Sequence, residues 1–225
     1  SKHKYHISEV KMEHDFRILI KDPSRCTTHI KPYNLNSVDE QIFVKEMDKY
    51  IANGIAERQT QHDARLIVDH VTPGFVVHNP VGTQIDGTII TKSRTVFNFK
   101  KLNWNTYRYY CDSEPIERGL QRMHGSLLFG AFDFSKYWFN FKVNPEDWKF
   151  MGLRSPNGVL VGKRCMLGLK NVPLFACEVS EKLFGPDTKV GAAMCVDDGN
   201  IGGKTVGDVT RRLLLAFEVA MVHGI

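Results

Sequence analysis

The feature of this sequence that most constrains its fold is the alternation of amphipathic helical segments with short β-type segments bounded by glycine and proline. Residues 68–103 combine β-branched and aromatic runs with Pro73-Gly74, Asn79-Pro80 and Asp86-Gly87, a pattern typical of hairpins. Farther along, the pattern predicts helix, strand, strand, helix, strand pair and helix. Strands joined by turns and single helices favour an α+β fold with a mainly antiparallel sheet.

Four helices are predicted from apolar spacing and end signals. The first begins at Ser37, which forms a capping box with Glu40, and ends at Gly54. Its apolar face is formed by Phe43, Met47, Tyr50 and Ile51. The second opens at Ser113 with Glu114 and Pro115 in its first turn, carries Ile116, Leu120 and Met123, and stops at Gly125. The other two cover residues 174–184 and about 208–223.

Two predicted strands end next to acidic residues. Residues 127–132 form an apolar run that is expected to be a buried strand leading into Asp133. Residues 190–196 form a second short strand, followed by Asp197, Asp198, Gly199 and Asn200. An Asp-Gly pair between two apolar runs is a strong hairpin signal, so the turn is expected at Asp198-Gly199.

The composition excludes a disordered chain and an apolar membrane span. Of the 225 residues, 42% are hydrophobic and 24% charged, which is typical of a globular chain. The net charge of +5 is spread evenly along the sequence, so a positive patch would have to be assembled by folding. The longest apolar run, residues 213–222, is interrupted by Glu218 and is shorter than the roughly 20 residues of a membrane span.

The termini and cysteines indicate where the protein works. The chain starts at Ser1 without an apolar signal segment or an initiator Met, which indicates a processed product, a trimmed chain or a fragment. The five cysteines are Cys26, Cys111, Cys165, Cys177 and Cys195. They include no C-x-x-C pair, which predicts a reducing intracellular compartment and neither zinc nor a disulfide framework.

Two other motifs do not support the sites that they suggest, a histidine metal site and a phosphate-binding P-loop. His62, His70 and His78 are eight residues apart, which is not ligand spacing on a helix or a strand. Residues 202–205, Gly-Gly-Lys-Thr, lack the first glycine of a P-loop, because that position is Asp198.

The acidic residues leave two interpretations open. Asp197 and Asp198 are either solvated carboxylates of a turn or metal ligands, since Mg²⁺ binds one or two carboxylates together with substrate phosphates. Asp133 either caps a helix or binds a cation, because an unpaired carboxylate at the end of an apolar strand is costly to bury.

Taken in order, several stretches resemble the fingers and palm of a reverse transcriptase of the LTR-retrotransposon (Ty3/Gypsy-like) type. Residues 51–57 resemble its L-L-x-x-G-I-I segment, and residues 92–103 its W-R-x-x-x-D-Y-R-x-L-N strand. Asp133 is at the position of the first catalytic aspartate in the family's palm. The remaining matches are residues 143–149 with V-x-x-x-D-x-x-K, 167–173 with F-G-L-x-N-A-P and 195–198 with Y-V-D-D.

The resemblance implies a right-hand polymerase palm, an antiparallel sheet backed by helices, with a β-rich fingers subdomain. It implies an N-terminal extension over residues 1–27, fingers with part of the palm over 28–110, and palm over 111–225, ending before a thumb. The implied activity is RNA-directed DNA synthesis by two-metal nucleotidyl transfer with Mg²⁺ or Mn²⁺. The implied partners are an RNA template, a DNA primer and deoxynucleotides.

The resemblance also implies roles for individual residues. Asp133, Asp197 and Asp198 would be the catalytic and metal-binding acids. The substrate-binding residues would be Lys92, Arg94, Phe134, Trp138, Leu167 and Gly168. Of these, Arg94 would contact the nucleotide phosphates, Trp138 would lie under the sugar and exclude a 2′-hydroxyl, and Gly168 would let the templating base pair approach the backbone.

The altered sugar gate, the low net charge and the expected end before a thumb favour an alternative function, and several residues depart from the family pattern. The family's fingers aspartate is Asn98, its small residue before the sugar-gate aromatic is Tyr137, and its tyrosine before the acid pair is Cys195. Tyr137 and Trp138 together are expected to crowd the nucleotide site. The alternative is a retroelement-derived, non-catalytic remnant that binds RNA or protein as a subunit of a larger assembly. A small-molecule enzyme is a third possibility, but no Ser-His-Asp or Cys-His context supports it.

Overall fold

A computed structural model of the protein describes residues 15–59, 67–83, 89–109 and 115–225. The chain divides into two compact units. The five-stranded unit comprises Phe16–Tyr107 and Phe141–Lys170, and the three-stranded unit comprises Ser1–Asp15, Arg108–Asn140 and Asn171–Ile225. The boundary expected at residues 110/111 lies outside the described residues and stays a prediction. Residues 141–170 belong to the same unit as residues 16–107.

The five-stranded unit contains one mixed sheet in the order β1-β6-β5-β2-β3. Its strands are β1 (Ala56–Arg58), β2 (Val71–Thr83), β3 (Ile89–Phe97), β5 (Gly152–Ser155) and β6 (Gly158–Gly162). Its helices are α1 (Ser37–Ala52) and the short α2 (Lys100–Trp104). The pairing of β2 with β5 is parallel, and the other pairs are antiparallel.

The first predicted helix is confirmed, but its cap is not Ser37. Asn36 is the N-cap, and its side-chain oxygen accepts a 2.8 Å hydrogen bond from the backbone N–H of Asp39. At the other end, Gly54 has φ +65°, its N–H donates to Ile51 and the next N–H donates to Tyr50. These two bonds form a Schellman motif, so the predicted glycine stop is confirmed.

Within residues 68–103, where hairpins are predicted, the described strands β2 and β3 pair with each other antiparallel, and the last residues begin α2. Pro73-Gly74 and Asn79-Pro80, predicted as turns, lie inside β2, whereas Asp86-Gly87 lies outside the described residues. Gly74 is in the strand because of close packing: a Cβ there would be 2.5 Å from the Phe43 ring of α1 and 2.9 Å from Phe97. Glycine in a strand often marks such an approach instead of a turn.

The three-stranded unit contains an antiparallel sheet in the order β4-β8-β7 with helices. Its elements are α3 (Ile116–Arg122), β4 (Leu128–Asp133), α4 (Val172–Phe184), β7 (Ala193–Cys195), β8 (Asp198–Gly203) and α5 (Val206–His223). The predictions of α4 and α5 are confirmed, although each begins two residues earlier than expected. Thr205 caps α5, and Gly224 ends it with φ +68°.

Burial in this unit differs from the prediction at β4 and α3. Leu127, Leu128 and Phe129 are exposed, Phe129 at 65%, whereas Phe132 is buried. The predicted buried strand is therefore an edge strand whose first half faces solvent. Leu120 of α3 is also exposed, while Ser113 and Glu114, expected in the first turn of α3, lie outside the described residues.

Glycines allow α5 to pack closely on the three-stranded sheet. A Cβ on Gly130 of β4 would be 2.8 Å from Val209 and 2.9 Å from Leu213, and one on Gly203 of β8 would be 2.8 Å from Val209. α5 therefore braces the two strands that carry Asp133 and Asp198. In the described part of the chain, no helix combines the length and apolar character needed to cross a membrane.

Candidate active site

Two acidic residues face each other across the β4–β8 pair. Asp133, the last residue of β4, is the register partner of Asp198, the first residue of β8. Directly opposed residues share one face of an antiparallel sheet, with Cβ atoms about 5 Å apart. Both acids are exposed, so the structure brings two of the three predicted catalytic acids together on one sheet edge.

Asp197 lies beside this pair in the β7–β8 turn. The turn consists of Val196 and Asp197, because Cys195 pairs with Asp198. The backbone N–H of Phe134 donates to the carbonyl of Asp197 at 3.3 Å, which holds the turn against the end of β4. The prediction that Asp198-Gly199 forms the turn was wrong by two residues. The consequence is that Asp198 belongs to the strand and is fixed in register with Asp133.

The Asp-Gly pair instead provides packing beneath the acids. Gly199 is opposite Phe132, and a Cβ on Gly199 would be 2.1 Å from the Phe132 ring. The Phe132 ring also contacts Phe134 and Phe184, with centroids 5.3 Å and 5.9 Å away. Because side chains alternate along a strand, burying Phe132 on one face presents Asp133 on the other.

The acidic turn is held by a buried side chain of α4. The hydroxyl of Ser180 donates to the carbonyl of Val196 at 2.5 Å and lies 2.6 Å from the Tyr137 hydroxyl. Tyr137 and Ser180 are both fully buried. This tether supports an unfavourable backbone: Val196 has φ +61°, a conformation that a β-branched residue rarely adopts.

Tyr137, which was expected to crowd the nucleotide site together with Trp138, is fully buried. Its side chain is part of the core of the three-stranded unit and stacks on Phe134, with ring centroids 5.5 Å apart. Phe134 in turn contacts Phe184 at 5.0 Å and is half-buried. Trp138, the other aromatic residue predicted at the sugar gate, is half-buried. Its ring centroid lies 6.4 Å from that of Tyr137.

Burial and neighbouring charge both affect Asp197. Partial burial raises the pKa of its carboxyl above 3.8, and the charges of Asp198 and Asp133 raise this pKa further. The negative charges of Asp133 and Asp198 beside Asp197 attract a cation.

The carboxylates suit a hard cation but do not form a complete protein cage. Within the described ranges, no group of three or more His, Cys, Asp or Glu side chains is arranged to hold a metal ion. Mg²⁺ is commonly bound through one or two carboxylates, with waters and substrate phosphates completing its coordination. Asp133 and Asp198, joined by Asp197, therefore have donor chemistry that fits Mg²⁺ shared with a phosphate substrate.

The predicted cationic residues belong to the five-stranded unit. Lys92 and Arg94 are exposed on β3, where they pair in register with Asn79 and Val77. They lie on the face opposite Ser93, since side chains alternate. Neither forms an ion pair with another described residue, so both can bind an anion.

Leu167 and Gly168, also in the five-stranded unit, form an exposed turn. Gly168 has φ +99°, which a residue with a side chain rarely adopts. The Asn103 side chain fixes the turn: its amide donates to the Gly168 carbonyl at 2.7 Å, and its oxygen accepts from the Lys170 N–H at 2.9 Å. The turn is therefore rigid, and Leu167 is presented to solvent.

The sequence patterns do not identify the structural roles of Ser180 and Asn103. They also do not identify a hydrogen-bonded network centred on His78. His78 bonds Ser93 across the hairpin at 2.8 Å and Asp39 of α1 at 2.7 Å. The three residues are far apart in sequence, so no local motif identifies them. The arrangement ties the hairpin to α1. For Ser180, the only sequence signal is its place on the apolar face of α4.

No family model matches the sequence. The enzymatic polyprotein of figwort mosaic virus (strain DxS) is 24% identical over 172 residues, which cover 76% of this chain and 24% of the polyprotein. The chain thus spans about a quarter of that relative's length.

Similar solved structures include those of foamy virus protease-reverse transcriptases. The native crystal structure has a TM-score of 0.68 at 14% identity and covers 94% of this chain and 25% of its own. A foamy viral complex with an RNA/DNA hybrid has a TM-score of 0.67 at 15% identity, covering 91% of this chain and 25% of that one. A complex with double-stranded DNA has a TM-score of 0.67 at 16% identity, covering 94% and 39%.

These relatives are viral, and none supports the narrower Ty3/Gypsy assignment over other reverse transcriptases. The structural neighbours extend over nearly the whole chain. Together with the antiparallel β4-β8-β7 sheet and its helices, they show that this chain has the α+β fold of a reverse transcriptase.

Proposed function

We propose that this chain is the fingers-and-palm core of an RNA-directed DNA polymerase that works by two-metal nucleotidyl transfer. The observation that carries the proposal is the register of Asp133 with Asp198, with Asp197 in the adjoining turn, on a reverse transcriptase fold. The foamy viral neighbours bind an RNA/DNA hybrid and double-stranded DNA, which supports a template, a primer and deoxynucleotides as partners here.

In this proposal Asp133, Asp197 and Asp198 hold Mg²⁺ together with the nucleotide triphosphate. Bound Mg²⁺ would lower the pKa of the attacking 3′-hydroxyl and stabilise the departing pyrophosphate. The chain itself contributes position: the β4–β8 register fixes two carboxylates, and the Ser180 tether fixes the third. The raised pKa of Asp197 reflects the cost of its negative charge in the folded protein. A bound cation would offset this charge and so stabilise the site.

The remaining predicted residues act on the substrate. Arg94 and Lys92 bind the triphosphate, since a guanidinium can donate two parallel hydrogen bonds to phosphate oxygens. Trp138 lies under the sugar, and Gly168 lets the templating base pair approach the backbone. Phe134 and Leu167 also contact the substrate. We further propose that the protein works in a reducing intracellular compartment.

Primer extension on an RNA template with Mg²⁺ or Mn²⁺ tests the proposal. Wild type is expected to extend the primer, whereas the Asp197→Asn/Asp198→Asn double variant should lose at least about a thousandfold in rate. Asp187→Asn, which alters an exposed carboxylate of the same unit, is the matched control and should retain activity. Wild type that extends no better than the double variant would disprove polymerase function and favour the non-catalytic remnant.

Metal binding can be measured separately by thermal unfolding. Millimolar Mg²⁺ is expected to raise the Tm of wild type, because a ligand that binds only the folded state stabilises it. The double variant should show no such increase, while Asp187→Asn should behave as wild type. An equal Mg²⁺ effect on all three proteins would place the metal elsewhere.

A further inference from the structure

An exposed tryptophan stands at the end of α2 in the five-stranded unit. Trp104 is 69% exposed, although tryptophan is among the side chains that gain most from burial. The ammonium of Lys100 lies 5.0 Å from its ring centroid, within the range of a cation–π contact. The ring is therefore presented to solvent beside a positive charge.

The backbone that carries Trp104 is held on both sides by asparagines. Asn103 bonds the Gly168 carbonyl and the Lys170 N–H, as described above. Asn105 is buried, and its side chain donates to the Asp22 carbonyl at 2.7 Å and accepts from the Asp22 N–H at 3.1 Å. Such paired bonds fix the position of Trp104 while leaving its ring unpacked, so the exposed aromatic is preorganised.

Two further lysines bond backbone carbonyls at and beside Trp104. Lys21 donates from its ammonium to the Trp104 carbonyl at 3.3 Å. Lys170 donates to the carbonyls of Thr106 at 3.0 Å and Asn103 at 3.4 Å. An ammonium has three donors, so each lysine is positioned by the backbone and retains capacity to bind an anion.

A second aromatic residue lies next to Lys21. Tyr107 is 55% exposed, and the Lys21 ammonium is 6.0 Å from its ring centroid. A short antiparallel bridge holds it: the Tyr107 N–H donates to Leu19 and the Lys21 N–H donates to Asn105, both at 2.8 Å. Lys21 thus contacts both aromatic residues, through the backbone of Trp104 and the ring of Tyr107.

Stabilisation of the end of α2 accounts for only part of this arrangement. Lysines that bond carbonyls at the end of a helix stabilise it, which explains Lys21 and Lys170. It does not explain why two aromatic rings beside them remain exposed. Asp22, the acidic residue nearest in sequence, is already bonded to Ser24 and paired with Arg25.

The charge of the unit is consistent with an anionic partner. The five-stranded unit contains 18 Lys and Arg against 11 Asp and Glu, a net charge of +7. Exposed aromatic rings between cations are the pattern with which proteins bind single-stranded nucleic acid, since bases stack on the rings and phosphates contact the cations.

We propose that the Trp104 surface, formed by Lys21, Lys100, Trp104, Tyr107 and Lys170, binds single-stranded nucleic acid. Unpaired bases stack on Trp104 and Tyr107, and the adjacent phosphates bind the three lysines. Base faces and phosphates are common to RNA and DNA, so the surface takes either, whereas a duplex keeps its base faces stacked inside. This binding requires none of the three acids and does not rest on the proposed polymerase chemistry.

Fluorescence anisotropy with a labelled oligouridine or oligothymidine of about a dozen nucleotides tests the surface at low salt. Trp104→Ala is expected to weaken binding about tenfold or more, and Trp104→Phe should retain most of the affinity. Phe129→Ala, an exposed aromatic of the other unit, is the matched control and should bind as wild type. Lys100→Gln should lower the slope of log affinity against log salt by about 0.7.

Three results would overturn the inference. The first is wild-type affinity in Trp104→Ala, with folding verified by its thermal transition. The second is equal Trp104-dependent binding to a duplex of the same length. The third is a wild-type dimer in sedimentation that Trp104→Ala converts to monomer, because the surface would then be a protein interface. The Asp197→Asn/Asp198→Asn variant should bind as wild type, so failure of polymerase activity leaves this test intact.

Discussion

At the scale of single residues, the acidic turn combines an unfavourable backbone with buried support. Val196 has φ +61°, and such backbone conformations cost about 1–3 kcal/mol and persist only where surrounding structure imposes them. Here the Ser180 hydroxyl bonds the Val196 carbonyl and lies beside Tyr137. Tyr137 replaces the small residue that the family motif has before its sugar-gate aromatic. In the structure it helps to hold the acidic turn.

Removal of the Ser180 hydroxyl should weaken the three-stranded unit. Ser180→Ala removes both hydrogen bonds and leaves polar groups buried without these partners, so the free energy of unfolding should fall by about 1–3 kcal/mol. Urea unfolding of the variant measures this. Ser135→Ala, an exposed serine two residues before Tyr137, should change it by less than about 0.5 kcal/mol. Equal effects of the two substitutions would show that the tether contributes nothing.

The raised pKa of Asp197 predicts a particular pH dependence. The folded state holds this proton more tightly than the unfolded state, whose pKa is near 3.8. Stability contributed by this group is therefore present at low pH and lost as the pH rises through the folded-state pKa. Asp197→Asn should accordingly be more stable than wild type in neutral, metal-free buffer.

That advantage of Asp197→Asn should shrink on acidification below the folded-state pKa, where wild type is also neutral at this position. Chemical unfolding at a series of pH values measures the difference. A constant difference between the two proteins from acidic to neutral pH would contradict the assignment of the raised pKa.

At the scale of elements, the start of α1 shows how a cap is assigned by geometry. Asn36 bonds the Asp39 N–H through its side chain, whereas Ser37 is the first helical residue. Asn36→Ala should lower the free energy of unfolding by about 1 kcal/mol. Ser37→Ala is the matched control and should have little effect. The reverse order, measured by thermal or urea unfolding, would restore the capping box of Ser37 with Glu40.

Glycine also positions elements, and the two sheets use it in the same way. Gly74 is opposite Phe97, and Gly199 is opposite Phe132. Gly199→Ala places a Cβ inside the space of the Phe132 ring and should destabilise the protein by about 1–3 kcal/mol. It should also disturb the acid pair and so reduce any Mg²⁺-induced increase in Tm.

Gly207→Ala is the control for this substitution, since a Cβ there meets nothing within 4 Å. It is the second residue of α5, and its exposed position should leave the stability within about 0.5 kcal/mol of wild type. A Gly199→Ala variant as stable as Gly207→Ala would show that Phe132 can move without disturbing the sheet.

At the scale of the whole molecule, the modest net charge divides unequally. The five-stranded unit carries +7 and the three-stranded unit, with 12 Lys and Arg against 14 Asp and Glu, carries −2. The even distribution along the sequence therefore conceals a separation by unit, because residues 141–170 join the basic one.

This separation predicts which surface lysines contribute to nucleic-acid binding. Replacement of Lys31 and Lys92, exposed in the five-stranded unit, with alanine should weaken salt-sensitive binding to oligonucleotides. Replacement of Lys189 and Lys204, exposed in the other unit, should not. For single strands, the salt slope should fall by about 0.7 for each phosphate that the variant no longer binds. Equal slopes for both double variants would show that only the overall charge matters.

The sequence by itself determined the helices and strands whose signals are local. α1, α4 and α5 follow from apolar spacing and from glycines at their ends, and these features act over a few residues. The order of motifs likewise predicted the reverse transcriptase fold and identified Asp133, Asp197 and Asp198 as candidate acids.

Only the tertiary structure decided what depends on contacts between distant segments. It set the turn at Val196-Asp197, buried Tyr137 against Ser180, turned half of β4 toward solvent and joined Asn103 to Gly168. Strand register and side-chain burial are fixed by partners far away in the chain, which no local pattern contains.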